Sequence, residues 1–138
     1  MIDHYLEGNE ILVEAFRTAN AEESIENFHA VVDAIQTRML ADGHLLLPVV
    51  HPDGNEEQFI VRTLKSDKGD NYVVAFTSDE EVAKGAPTGI LSCFIDMALE
   101  TALGMDAITG MVIDPWSNDA SFVLTKTAIQ MILEAKRA

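Results

Sequence analysis

Apolar positions recur along this chain with two periods, and the change between them separates helices from strands. Ile25, Phe28, Val32, Ile35 and Met39 recur at spacings of three and four, the single stripe of an amphipathic helix. Asn20 is a good N-cap for it, with Glu23 at N3 as a capping-box variant, and Gly43 stops it. Glu22, Glu26 and Asp33 fall off the stripe. A shorter helix is expected to run from Asn9, as its cap, to about Thr18, with Leu12 and Phe16 one turn apart.

Strand patterns follow. Residues 45–50 form a continuous apolar run in which Pro48 argues for an edge or a bulge. Residues 59–64 are rich in β-branched side chains, and 72–77 form a third strand. The turns at 52–55 and 66–70 are short, which predicts a three-stranded antiparallel meander. Ser78 with Glu81 then makes a capping box for a short helix that Gly85, Pro87 and Gly89 break. Ser92 can cap a helix carrying Ile95, Leu99 and Leu103 and ended by Gly104. Two short strands, 110–113 and 121–124, lead to a last helix capped by Thr125, with Ile129, Ile132 and Leu133 inward. Lys136 and Arg137 lie in its last turn, where positive charge suits the helix dipole.

The order is therefore α-α-β-β-β-α-α-β-β-α. Strands come in runs and do not alternate with helices, which indicates an α+β fold with a mostly antiparallel sheet. The expected sheet is the meander plus the two short strands. At 138 residues, with no linker, repeat or low-complexity tract, the chain reads as a single domain over 1–138.

Charge narrows the function. Twenty-three acids against nine bases give a formal net charge of −14. That excludes a sequence-independent nucleic-acid binder, which neutralises phosphates with Lys and Arg, and it disfavours anionic membranes. Residues 1–42 hold nine of the acids and two of the bases. Those acids read either as a solvated helix face or as a patch for a basic partner. The lone Cys93 allows no disulfide within the chain and reads as a small core residue. The N-terminus has no basic region followed by an apolar run, and no apolar stretch approaches the length of a membrane span. A cytoplasmic protein is expected.

The candidate chemistry is thin. His44 and His51 are seven apart and would point to opposite faces of a strand; His4 and His29 have no partner at ligand spacing. No metal site and no cofactor are expected. Asp53, Asn55 and Glu57 imitate the start of a calcium loop but lack its glycine and late glutamate, so a hairpin turn explains them better. Asp96 and Glu100 stand one turn apart and read as a solvated helix face. Glycine-rich phosphate loops are absent. The segment 114–119, Asp-Pro-Trp-Ser-Asn-Asp, stands out because it joins two strands and holds the only tryptophan. Trp116 either anchors an interface or folds back onto the core.

Two motifs resemble a known family. Residues 72–81, Tyr-Val-Val-Ala-Phe-Thr-Ser-Asp-Glu-Glu, look like the "strand, Phe-Thr-Ser, acidic helix" signature of the SseB N-terminal domain family. Residues 110–116, Gly-Met-Val-Ile-Asp-Pro-Trp, followed by 121–124, Ser-Phe-Val-Leu, look like its second signature. The resemblance covers roughly 20–138 and makes 1–19 an added N-terminal helix. Asp114 stands where the family usually has Asn. What the resemblance implies is a binding or regulatory module whose molecular role is poorly defined. In the first motif, Phe76 is expected to anchor the strand end while Thr77 or Ser78 caps the helix.

Two functions follow as expectations. The first is a non-enzymatic, regulatory or chaperone-like protein-binding module. Its candidate surface is Phe76, Thr77, Ser78, Glu81, Asp114, Pro115, Trp116 and Asp119, with no catalytic residue. A protein partner or a second copy of the chain as a homodimer is expected, since an edge strand needs covering. The alternative is a hydrolase using Thr77, Ser78, Asp114 and Asp119, weakened by the absence of a placed histidine base.

Overall fold

The computed structural model describes residues 4–50, 60–85 and 89–137, with side chains from Tyr5 through Glu134. Helix α1 spans Glu10–Ala21 and α2 spans Ile25–Leu40. Strand β1 is His44–Val50, β2 Ile60–Val61, β3 Thr63–Lys65 and β4 Asn71–Ala75. Helix α3 is Asp79–Gly85, β5 Ile90–Phe94 and α4 Ile95–Leu103. Strands β6, Gly110–Ile113, and β7, Phe122–Thr125, precede α5, Lys126–Arg137. The fold is α+β, as the order of apolar patterns predicts, with one added strand and one strand divided in two.

The helix boundaries follow local chemistry. The Ser24 hydroxyl, not Asn20, accepts the Asn27 N–H at 3.0 Å and caps α2. Asn20 lies inside α1 instead and donates to the Asp119 and Ser121 carbonyls. With the start moved to Ile25, that residue is 76 % exposed, while Val31, Ile35, Arg38 and Met39 turn inward. Helix α2 ends in a Schellman motif: Gly43 N–H donates to Arg38 C=O and Asp42 N–H to Met39 C=O. Asp42 takes the left-handed position at φ 59°.

The strands form two sheets, ordered β2-β1-β5 and β3-β4-β6-β7. All pairings are antiparallel except β4 with β6. The expected meander survives in pieces, β1 with β2 and β3 with β4. Pro48 explains the break. It lies in a strand with neighbours on both sides, not at an edge. Its carbonyl accepts the Arg62 N–H at 2.9 Å, but it has no N–H to return. The Arg62 carbonyl accepts from Val74 instead, and the chain passes from one sheet to the other between β2 and β3. A bridge between Leu46 and Phe76 joins the sheets a second time. Phe59 and the turn at 52–55, with His51 and Glu57, lie outside the described residues.

Ser92 is the clearest correction. It does not cap a helix; it sits in β5, paired opposite Leu46, and α4 begins three residues later. The helical stripe it was expected to start is nonetheless real, with Ile95 and Leu99 buried and Leu103 packed against them.

Alternation decides which face each side chain reaches. Leu45, Leu47, Val73, Ala75, Met111 and Ile113 face the main core under α1, α2, α4 and α5. Leu46, Val74, Phe76 and Val112 face a second, smaller cluster with Leu6 and with Val82 of α3. With both faces covered, the ends of β4 and β6 are held rigidly, and the candidate site lies at those ends.

Candidate functional site

Strands β4 and β6 run parallel, so their carboxyl ends emerge side by side. Open sheets with parallel strands leave a crevice outside such ends. Here Thr77 follows β4 and Asp114 follows β6. Asp114 Oδ1 accepts the Thr77 N–H at 2.9 Å, and Oδ2 accepts the Thr77 hydroxyl at 2.6 Å. Its own N–H donates to Ala75 C=O and its carbonyl accepts from Ser117 N–H. Asp114 is 1 % exposed and Thr77 2 %. Asp114 holds φ 53°, a left-handed conformation that Asp and Asn tolerate better than most residues.

A chain of hydrogen bonds continues inward from this clasp. The Thr77 carbonyl accepts from Asn9 Nδ2 at 3.0 Å, and that amide also donates to the His44 carbonyl at 2.9 Å. Asn9 Oδ1 accepts from Arg38 Nε at 2.8 Å, and Arg38 donates further to the Tyr5 carbonyl. Asn9 is therefore at the cap position of α1 without capping it. The buried Arg38 guanidinium lies between two glycines. A Cβ on Gly8 or on Gly43 would stand 2.9 or 2.8 Å from its nitrogens. Neither role is visible locally, because the partners of Asn9 lie 29, 35 and 68 residues away. The one available signal is a basic residue, Arg38, one turn beyond Ile35 on the inward side of a helix.

Above the clasp opens a cleft of about 790 Å³. It gathers five of the sequence-derived residues, Thr77, Ser78, Glu81, Asp114 and Asp119. It adds acids that sequence reasoning did not single out: Glu7, Glu10 and Glu14 from α1 and its approach, and Asp79 and Glu80 from α3. Its two cations are both engaged. Arg17 pairs with Glu14 and with Asp119 at 2.8 Å, and Lys84 pairs with Glu81 Oε2 at 2.6 Å. Ser78 caps α3, accepting the Glu81 N–H at 3.3 Å.

The remaining three residues lie elsewhere. Phe76 is buried in the smaller core cluster. Pro115 and Trp116 stand outside the cleft lining, and Trp116 is 46 % exposed. Its ring crosses the end of α3, where a Cβ on Gly85 would meet the indole nitrogen at 2.3 Å. Among the described residues, no group of three or more His, Cys, Asp or Glu is placed to hold a metal ion. No helix of the described residues is long and apolar enough to cross a membrane.

Burial pushes the Asp114 carboxyl up to about 6; Thr77 opposes this by donating to it, and the charge of Glu81 adds to it. A carboxyl raised above its unfolded value stabilises the fold while protonated, and that contribution is lost as pH climbs through 6. Asp114→Asn keeps an acceptor for the Thr77 N–H, tolerates φ 53° and carries no charge to bury. Its stability relative to wild type should therefore rise by roughly 1–3 kcal/mol between about pH 4 and pH 7.5. Urea unfolding across that range checks this; parallel curves for the two proteins would refute it.

Fold and cleft together define a small α+β protein with an acidic groove at the ends of two parallel strands. The family model of the SseB protein N-terminal domain matches residues 12–131, most of the chain, and the chain belongs to that family. No match was found among curated proteins or among solved structures.

Proposed function

We propose that this protein is a non-enzymatic protein-binding module whose cleft receives a basic segment of a partner protein. One observation carries the reading: among the described residues, eight carboxylates line one open cleft, and the two cations beside them are already paired within it. An incoming Lys- or Arg-rich segment supplies the missing charge, and complementarity of this kind gives orientation and a fast on-rate. The hydrolase alternative gains no support from the geometry. Thr77 and Asp114 are buried against each other, so the hydroxyl is not presented for attack, and among the described side chains no histidine lines the cleft.

The test is a titration with a short oligo-arginine peptide at low salt, followed by calorimetry. Asp79→Asn with Glu80→Gln removes two charges at the cleft. Glu22→Gln with Glu26→Gln removes two charges elsewhere. The first pair is expected to weaken binding roughly fivefold, and the second to leave it nearly unchanged. Equal effects from both pairs would mean attraction to net charge alone and would sink the proposal.

A further inference from the structure

The sheet β2-β1-β5 ends on β5, and among the described residues no strand pairs with its outer side. Strand β5 is the longest edge strand described, with five residues against two for β2, three for β3 and four for β7. Exposed edges are ordinarily shielded by a charge, a proline or a bulge. Strand β5 has none of these: it reads Ile-Leu-Ser-Cys-Phe, and its register with β1 is unbroken from Ile90 to Phe94. The ladder fixes which main-chain groups face outward. The Ile95 N–H donates to the Gly43 carbonyl at 3.1 Å, and the Val49 N–H to the Gly89 carbonyl at 2.9 Å. In this antiparallel register Leu91 and Cys93 also turn toward β1, while Ile90, Ser92 and Phe94 turn their N–H and C=O groups away from it. The side chains of those three residues share one face of the sheet, where Ile90 is 39 % and Phe94 41 % exposed. The Phe94 ring is already braced, tilted against the His44 ring at 4.6 Å and the Tyr5 ring at 6.4 Å, so little freedom is lost when it is covered.

We propose that β5 is a self-association edge: two copies of the chain pair antiparallel through β5 about a twofold axis at Ser92, making one sheet ordered β2-β1-β5-β5-β1-β2. The occupant is a second copy because the strand is complementary to itself. Rotation about Ser92 sets Ile90 opposite Phe94 of the second copy and Phe94 opposite its Ile90. Outward N–H groups then meet outward C=O groups, and a β-branched side chain meets a ring on each side of the axis. A strongly charged partner finds no charge on β5 to pair with. No residue of β5 lines the acidic cleft, so this association stands apart from the cleft reading. Three residue pairs and their surroundings make a small interface, and a dissociation constant on the order of 10–100 μM is expected. Each copy carries a formal charge of −14, so charge opposes the pairing and added salt should strengthen it several-fold. Peptide binding in the cleft responds to salt in the opposite direction.

Sedimentation equilibrium of the full chain, from about 5 to about 500 μM, tests this. Wild type is expected to populate dimers. Ile90→Lys puts a charge on the edge and should weaken dimerisation at least tenfold. Val123→Lys makes the same change of charge at an exposed position of the edge strand β7 and should leave the dimer nearly unchanged. A wild type that stays monomeric throughout overturns the proposal. So does a dimer that the two variants weaken equally, that neither weakens, or that only Val123→Lys weakens. Amide hydrogen exchange of wild type provides a check that needs no variant. Protection of the Ile90 and Phe94 amides should rise with protein concentration, while that of Leu91 and Cys93, bonded to β1, changes little. A dimer that leaves the Ile90 and Phe94 amides unprotected pairs through another surface and overturns the proposal.

Discussion

Asn9→Ala is expected to destabilise the protein by about 3–4 kcal/mol, several times the roughly 1 kcal/mol lost with an ordinary helix cap. The difference arises because the Asn9 side chain serves three partners and none of them is its own helix. Its amide nitrogen donates to the His44 and Thr77 carbonyls, and its oxygen accepts from Arg38 Nε. Truncation leaves a buried guanidinium one acceptor short and removes a donor from two carbonyls, one of them buried. Each such orphaned group costs about 1–3 kcal/mol, with partial relief from relaxation and water. Denaturant unfolding measures the loss, and a change near 1 kcal/mol would show that Asn9 is only a cap. Asn9→Asp should not rescue, since a carboxylate satisfies Arg38 and then turns an oxygen toward the two carbonyls.

Gly110→Ala is expected to cost about 3 kcal/mol or more, from a single methyl group. Gly110 begins β6, between β4 and β7, opposite Tyr72 on one side and Thr125 on the other. A Cβ there would stand 2.2 Å from the Leu124 carbonyl oxygen and 3.2 Å from Thr125 Cα. These are backbone atoms within a ladder, so relief requires β6 and β7 to part. Overpacking a core costs roughly 1–3 kcal/mol where side chains can yield, and here the yielding group is a strand. Because the same strand carries Asp114 at its end, the variant should also lose the downfield hydroxyl or amide signals of the Thr77 clasp. A variant as stable as wild type would mean that β7 is not held where the ladder places it.

The glycine heading β6 illustrates what was legible in the sequence. It led an apolar run into an Asp-Pro turn, and the run is a strand because local chemistry suffices to make it one. The same holds for α2, for the Ser78 and Thr125 caps and for the turn at Ser66–Asp70, where Gly69 adopts φ 90°. Failures came where two local signals competed. Asn20 and Ser24 are both good caps four residues apart, and only packing of Val31, Ile35 and Met39 into the core selects the second. Ser92 could cap a helix, but the apolar residues around it pair with β1, and that ladder decides the matter. The parallel pairing of β4 with β6 had no local trace at all, since it depends on where α3, β5 and α4 carry the chain.

The site was half legible for the same reason. Thr77, Ser78, Glu81 and Asp114 belong to two family motifs, Asp119 lies between the two parts of the second, and the fold brings all five to one cleft. Their acidic company could be counted but not placed. Of the acids crowded into residues 1–42, Glu7, Glu10 and Glu14 line the cleft, while Glu22, Glu23, Glu26 and Asp33 do not. The acids of that one segment thus divide between the cleft lining and the surface outside it. Trp116, the most conspicuous residue of the loop, lies across Gly85 and outside the cleft.

The most direct measurement is amide chemical-shift mapping of the whole chain during addition of the oligo-arginine peptide. The account predicts that the largest shifts fall on residues 77–84, on 114–119 and on the first turns of α1. Shifts concentrated instead around Glu22–Asp33, outside the cleft lining, would contradict it.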